Sequence, residues 1–312
     1  MRRILLVVAL LPLLLIGGLL AYDRLLPEQS AAWYAQAQRS RAGLEQKTVG
    51  IPGFEIAYLE GGSGEPLVLL HGSGANKDNW TPIAKLLTPH FRVIAPDLPG
   101  YGDSSKPAET HYRVPDQVIR LGQFLDALKL ERVHLGGNSM GGFIAAAYAA
   151  TNRARVQSLW LLAPGGLRTA EESEVRRIYR ETGQSPLFSQ KPEDFDRVLA
   201  YVFAKPPFIP YGIRKVLAER AVENYPLHSR IYDEIAKDSL QLEALLPGLA
   251  APTLVLWGAE DRVTDPSGAE VVKRLLPRAQ IAILPGVGHI PMIEAPKQSA
   301  RLFLEFQARA RE

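Results

Sequence analysis

Three residue types able to carry out acyl transfer stand in a suggestive order: a serine at 139, an aspartate at 261 and a histidine at 289. Ser139 is the centre of Gly137-Asn138-Ser139-Met140-Gly141, which fits G-x-S-x-G. A short apolar run from Val133 leads in, and an alanine-rich stretch from Phe143 to Ala150 leads out. Strand, tight turn and helix in that succession lift a serine hydroxyl clear of a sheet. Glycines flank the serine because so sharp a turn leaves no room for neighbouring Cβ atoms. A serine hydroxyl at its ordinary pKa is a weak nucleophile. It needs a base, and the base needs an orienting acid.

The acid is expected in Gly258-Ala259-Glu260-Asp261-Arg262-Val263, which follows an apolar run from Thr253 to Trp257. Asp261 is favoured by its place in G-x-x-D, with Glu260 and Asp265 as rivals. The base is expected in Gly286-Val287-Gly288-His289, after the run Gln280 to Leu284. Both loops sit beyond the carboxyl ends of strands, where open α/β sheets carry their sites. Among the other histidines, His134 falls inside a strand and reads as a packed core residue, while His90, His111 and His228 lack a glycine-rich setting. A tetrahedral oxyanion requires two backbone N–H donors. Met140, next to the nucleophile, is one candidate, and Ser73 in the turn His71-Gly72-Ser73-Gly74 is the other.

The elements that must position these groups are legible as short apolar runs. Strands are expected at Phe54–Leu59, Pro66–Leu70, Phe91–Ala95, Val133–Leu135, Val156–Leu162, Thr253–Trp257 and Gln280–Leu284. Continuous apolar runs of this length suit strands covered on both faces. Helical patterns separate most of them, as at Val114–Leu128, Ala269–Leu276 and Lys297–Arg309. Alternation of this kind implies α/β architecture, a mostly parallel central sheet with helices on both faces. The interval from Arg168 to Leu249 breaks the rhythm with helical patterns, aromatics and prolines but no buried strand. It reads as an inserted helical cap (lid). Its Tyr179, Phe188, Phe195, Phe203, Phe208, Tyr211 and Tyr225 supply apolar surface for a cap core or an acyl channel.

The chain has 312 residues, 46% hydrophobic and 22% charged, with a net charge of +3. That is an ordinary globular composition. No run of Lys and Arg interleaved with aromatics occurs, so nucleic acid is not an expected partner. The absence of cysteine excludes disulfides, zinc–thiolate sites and a cysteine nucleophile.

Arg2-Arg3 precede an apolar run at residues 4–21. As a helix it would span about 27 Å, enough for a hydrocarbon core with help from Tyr22 at the interface. A cleaved signal peptide competes, but Leu19-Leu20-Ala21 puts leucine where a small residue is preferred. The expected organisation is therefore an N-terminal transmembrane helix (1–27) followed by a juxtamembrane helix (28–47). After these come a first core segment (48–167), the cap (168–249) and a second core segment (250–312). Positive charge at the start argues for a single pass with the N-terminus cytoplasmic and the remainder on the outer side, as in a bacterial inner membrane. Trp33 and Tyr34 followed by basic residues suit a helix at the membrane surface, or a simple spacer.

Taken together, His71-Gly72, Asp97-x-Pro99-Gly100-x-Gly102-x-Ser104, Gly137-x-Ser139-x-Gly141, Trp257-Gly258-x-x-Asp261 and Gly288-His289 resemble the α/β-hydrolase superfamily over residues 50–310. Within it, the N-terminal anchor, Asn138-Ser139-Met140-Gly141-Gly142 and Ala163-Pro164-Gly165-Gly166-Leu167 are similar to membrane-bound monoacylglycerol lipases and bacterial membrane-anchored phospholipases A. The resemblance implies ester hydrolysis by a Ser139/Asp261/His289 triad, with no cofactor and no metal. Its substrates would be lipid esters, namely glycerophospholipids, lysophospholipids or monoacylglycerols, and it leaves room for a homodimer. Two alternatives stand beside it: hydrolysis of small soluble esters or C–C bonds, and a non-catalytic membrane scaffold.

Overall fold

The structure, a computed structural model, describes residues 16–310. Its centre is an eight-stranded sheet of order β1-β2-β4-β3-β5-β6-β7-β8. The strands are β1 (Leu44–Ile51), β2 (Phe54–Gly61), β3 (Pro66–Leu70), β4 (Arg92–Pro96), β5 (Val133–Asn138), β6 (Val156–Leu162), β7 (Thr253–Gly258) and β8 (Gln280–Leu284). β1 pairs antiparallel with β2, and β2 antiparallel with β4. Every pairing from β4 across to β8 is parallel.

The helices are α1 (Pro27–Arg41), α2 (Thr81–Leu87), α3 (Val114–Ala127), α4 (Met140–Thr151), five between β6 and β7, then α10 (Gly268–Leu275), α11 (Pro291–Glu294) and α12 (Pro296–Ala310). Alternation along each strand divides the core in two. Leu159 and Leu161 of β6 join a cluster with Phe124 of α3 and Ile144 of α4. Trp160 and Leu162 of the same strand join the opposite cluster, with Trp80, Ile83 of α2 and Phe303 of α12. Trp160 stacks on Phe303 with ring centroids 4.3 Å apart.

The five intervening helices are α5 (Glu174–Thr182), α6 (Asp194–Val202), α7 (Tyr211–Glu223), α8 (Tyr225–Ala236) and α9 (Leu242–Leu245). Local signals set the ends of α5. The Ser173 side chain accepts the Arg176 N–H at one end, and Gly183 takes a φ of 71° at the other.

The N-terminal region departs from expectation. Helix was expected through residue 47, but α1 ends at Arg41 and β1 begins at Leu44. Gly43, at φ 66°, breaks the helix, and the next residues pair from Leu44↔Gly61 to Ile51↔Phe54. β1 is an edge strand with mostly exposed side chains, so it lacks the apolar run that betrays the central strands. Upstream, residues 16–25 are helical. Buried Asp23 accepts the Ser30 hydroxyl at 2.8 Å and the Gly212 N–H of α7 at 2.7 Å. A Cβ on Gly212 would lie 2.1 Å from the Asp23 carbonyl oxygen, so this seam requires glycine. Among the described residues no helix is long and apolar enough to cross a membrane. Most of the anchor expected at 4–21 falls in residues 1–15, outside the described residues.

Candidate active site

β5 ends at Asn138 and α4 starts at Met140, so Ser139 alone makes the turn. Its φ of 54° and ψ of −118° are values that residues with a Cβ avoid. A Cβ on Gly137 would lie 2.3 Å from the Gly141 carbonyl oxygen, and one on Gly141 would lie 2.3 Å from that of Leu70. The strained turn is held from outside. The Ser139 N–H donates to the Leu162 carbonyl at 3.0 Å, and the Ser139 carbonyl accepts from Phe143 and Gly165.

Asp261 and His289 meet although 28 residues separate them: His289 Nδ1 lies 2.8 Å from Asp261 Oδ2. The same carboxylate accepts the N–H groups of Val263 (2.8 Å) and Thr264 (3.0 Å), and the Thr264 hydroxyl at 2.9 Å. With an acceptor against Nδ1, that nitrogen carries the hydrogen and Nε2 keeps its lone pair. Both side chains are buried. The two rival carboxylates point elsewhere. Glu260 accepts the Val287 N–H at 2.9 Å, and Asp265 accepts that of Ser267 at 2.9 Å. Ser139 and His289 line one cavity. Asn138 joins their loops by donating to the carbonyls of His289 (3.0 Å) and Leu162 (3.1 Å).

The loop after β3 lies against the serine. A Cβ on Gly72 would come within 3.2 Å of Ser139 Cβ. His71 braces this loop: its Nε2 accepts the Leu98 N–H at 2.9 Å, so its Nδ1 donates to the Gly72 carbonyl at 2.8 Å. Burial pushes the His71 pKa down, which favours this neutral form. Ser73 and Met140 both line the cavity, and the Tyr101 hydroxyl bridges them, 3.2 Å from Ser73 Oγ and 3.5 Å from Met140 Sδ.

Sequence reading missed several supporting groups. Asp97 was visible only as part of a motif. Buried, it accepts the Lys77 N–H (2.7 Å), the Lys77 ammonium (2.8 Å) and the Asp103 N–H (2.8 Å). Burial alone would lower the Lys77 pKa, but Asp97 and Asp103 outweigh it and raise it. Glu294, whose position gives no local hint of a role, accepts the N–H groups of Gly288 and Ala204, each at 2.8 Å. His228, passed over as lacking a glycine-rich setting, is buried against Tyr101 at 4.6 Å and lines the cavity. Burial pushes its pKa down to about 4. His134 is a core residue, bonded to the Ser158 hydroxyl at 2.8 Å.

The cavity over Ser139 has a volume of about 1510 Å³. From the cap, Tyr179, Phe188, Phe195 and Phe203 line it, together with Leu199 and Ile213. Phe208, Tyr211 and Tyr225, expected in a cap core or an acyl channel, are not part of its wall. Phe208 is instead 89% exposed and Tyr211 52% exposed. Among the described residues no cluster of His, Asp and Glu is arranged to hold a metal ion.

The sequence matches the alpha/beta hydrolase fold family over residues 65–296. This chain belongs to the α/β-hydrolase family. The hydrolase is 38% identical to Lipase 3 of Moraxella sp. (strain TA144) over 278 residues, 87% of each chain. It is 29% identical to monoacylglycerol lipase ABHD6 of Homo sapiens over 292 residues, covering 88% of this chain and 85% of that one. Its fold superposes on the crystal structure of a membrane phospholipase A with a TM-score of 0.90 and 41% identity, over 100% of both chains. This α/β-hydrolase is an ester hydrolase.

Proposed function

We propose that this α/β-hydrolase is a membrane-anchored lipase of the phospholipase A or monoacylglycerol lipase type, releasing fatty acids through an acyl-enzyme at Ser139. The observation that carries the reading is the 2.8 Å contact between His289 Nδ1 and Asp261 Oδ2, beside a strained serine in a large apolar cavity. With Nδ1–H held by Asp261, His289 Nε2 takes the Ser139 proton as Oγ attacks the ester carbonyl. Negative charge develops on the carbonyl oxygen, and the N–H groups of Ser73 and Met140 are the proposed donors to it. Met140 opens α4, so the helix N-terminus adds its positive end to that site. The intermediate collapses, the ester C–O bond breaks, and His289 returns the proton to the departing alcohol. Water, deprotonated by the same nitrogen, then attacks the acyl carbonyl; as the acyl–Oγ bond breaks, His289 passes that proton to Ser139 and the fatty acid leaves.

The relatives support a lipid ester: one is named a monoacylglycerol lipase and another a membrane phospholipase A. Residues 4–21 are the proposed anchor, placing the cavity beside the leaflet that holds its substrate. Each CH₂ moved from lipid into an apolar cavity avoids about 0.8 kcal/mol of exposure to water. The test is release of fatty acid from phosphatidylglycerol, lysophospholipid and monoacylglycerol, with p-nitrophenyl esters of increasing chain length alongside. Turnover should rise beyond acetate and vanish in Ser139→Ala, which should also lose labelling by fluorophosphonates. Preference for acetyl esters with no fatty-acid release would favour a small soluble ester, and the full chain should resist carbonate extraction from membranes.

A further inference from the structure

A segment of the cap without helix or strand, residues 203–210, joins α6 to α7. Its sequence, Phe-Ala-Lys-Pro-Pro-Phe-Ile-Pro, contains three prolines, which remove backbone donors and stiffen an exposed path. Such a segment would ordinarily fold its aromatic residue inward. Here Phe208 is 89% exposed, the most exposed of the large hydrophobic residues described. Its neighbour Ile209 lines the cavity, as does Ile213 one turn into α7. The segment therefore has two apolar faces, one towards the cavity and one outward.

Three residues beyond Phe208, half-exposed Tyr211 meets a helix that carries further exposed apolar residues. The Arg24 guanidinium lies 4.6 Å above the Tyr211 ring, and Asp23 receives the Gly212 N–H, so residues 23–24 sit directly on the start of α7. Leu20 and Ile16 lie one and two helical turns before Arg24 on the same face of that helix, and Leu19 lies one turn before Asp23. Leu19, Leu20 and Ile16 are all more than half exposed. In sequence that helix follows directly on the apolar residues 4–15, and Phe208 stands three residues before Tyr211, on which Arg24 sits. Both Lys205, in the proline-rich segment, and Arg24, over Tyr211, are exposed and positively charged.

We infer that residues 205–211 form a second membrane contact, a lip of the cap that seats Phe208 in the headgroup–acyl boundary of an anionic bilayer. This rests on the proposed anchoring for the identity of the partner. The lip then brings the cavity wall at Ile209 and Ile213 to the lipid surface. Phe208 supplies the apolar wedge, the ring of Tyr211 suits the interface, and Lys205 and Arg24 face the phosphates. An acyl chain leaving the bilayer meets Ile209 without an intervening layer of water.

The absence of cysteine makes the experiment clean. The full chain carrying Phe208→Cys is labelled with a polarity-sensitive fluorophore and reconstituted into phosphatidylethanolamine/phosphatidylglycerol vesicles, some with spin-labelled lipid. The same label at Ile283→Cys, exposed on the edge strand β8, is the reference. The Phe208 position should shift to the blue and be quenched by shallow spin labels, while position 283 stays in water. Phe208→Ser should lower hydrolysis of vesicle phospholipid about tenfold and leave p-nitrophenyl acetate turnover unchanged. Flotation of the same samples reads the anchor separately. Protein that floats with its label in water overturns the lip and spares the anchor, whereas protein that does not float overturns both. A blue shift without vesicles that grows with protein concentration assigns the patch to a second copy of the chain instead.

Discussion

Glu294 and Gly288 are bonded at 2.8 Å, carboxylate to backbone N–H, immediately before His289. The other oxygen of Glu294 holds Ala204 just beyond α6, and the His289 N–H donates to the Val202 carbonyl at 2.9 Å. One carboxylate thus ties the histidine loop to the end of a cap helix. A Cβ on Gly288 would lie 2.6 Å from the Ala204 nitrogen, so the two segments touch without a side chain between them. Glu294→Ala should lower kcat on a soluble ester about tenfold or more with KM little changed, because a histidine misplaced by a fraction of an ångström loses proton transfer before it loses binding. Steady-state kinetics on p-nitrophenyl butyrate read the split.

The same group gives a pH signature. Burial raises the Glu294 pKa above 4.5, although several backbone N–H bonds oppose the rise. A folded-state pKa above the unfolded one contributes stability that is present below pH 4.5 and lost as pH climbs through the raised value. The Tm of the native chain minus that of Glu294→Gln should therefore fall as pH rises from 4.5 through the window just above it. A difference that is flat with pH across that window would falsify this account.

Thr264 bridges the two partners, its hydroxyl 2.9 Å from Asp261 Oδ2 and 3.4 Å from His289 Nδ1. Thr264→Val keeps the shape and removes the donor, and kcat should fall several-fold to about tenfold. Asp261→Asn should cost about 10⁴ in kcat by favouring the wrong tautomer. Asp265→Asn should stay within about threefold of the native chain, since Asp265 caps only its own turn. Activity that survives Asp261→Asn and dies with Asp265→Asn would reverse the assignment.

Lys77 and Asp97 form a buried pair under the loop that bears Ser73, with side chains 2% and 0% exposed. Lys77→Met leaves the Asp97 carboxylate buried beside backbone donors alone, at a cost of about 3–5 kcal/mol. Urea denaturation followed by tryptophan fluorescence should show the midpoint falling accordingly. If the midpoint did not move, water would have to reach Asp97 in the native fold.

Gly137→Ala tests the serine turn without touching a polar group. The added methyl would meet the Gly141 carbonyl at 2.3 Å, where only backbone can give way. The variant should lose roughly 3 kcal/mol or more and all esterase activity. A soluble, active Gly137→Ala protein would show that α4 can slide along β5.

How far the chain itself announced all this depends on the range of the forces involved. The serine turn was legible because its constraint is local: Gly137 and Gly141 stand two residues either side of Ser139, and the crowding they relieve lies within that one turn and the strand beside it. Pro66–Leu70 and Val156–Leu162 stand where their apolar runs place them, since strands buried on both faces leave an unbroken signature; Gln280–Leu284 also stands at its apolar run, although as an edge strand it is only half-buried. β1 left none. Its hydrogen bonds come from β2 and most of its side chains face water, so little within Leu44–Ile51 distinguishes it from a helix tail. Asp261 was favoured over Glu260 and Asp265 by its place in G-x-x-D, but it is the tertiary structure that turns it to His289, as it turns Phe208 rather than Phe188 outward. Glu294 is the plainest case. Its partners are backbone N–H groups at 288 and 204, which every residue but proline possesses, and only the docking of the cap on the sheet brings them to one carboxylate.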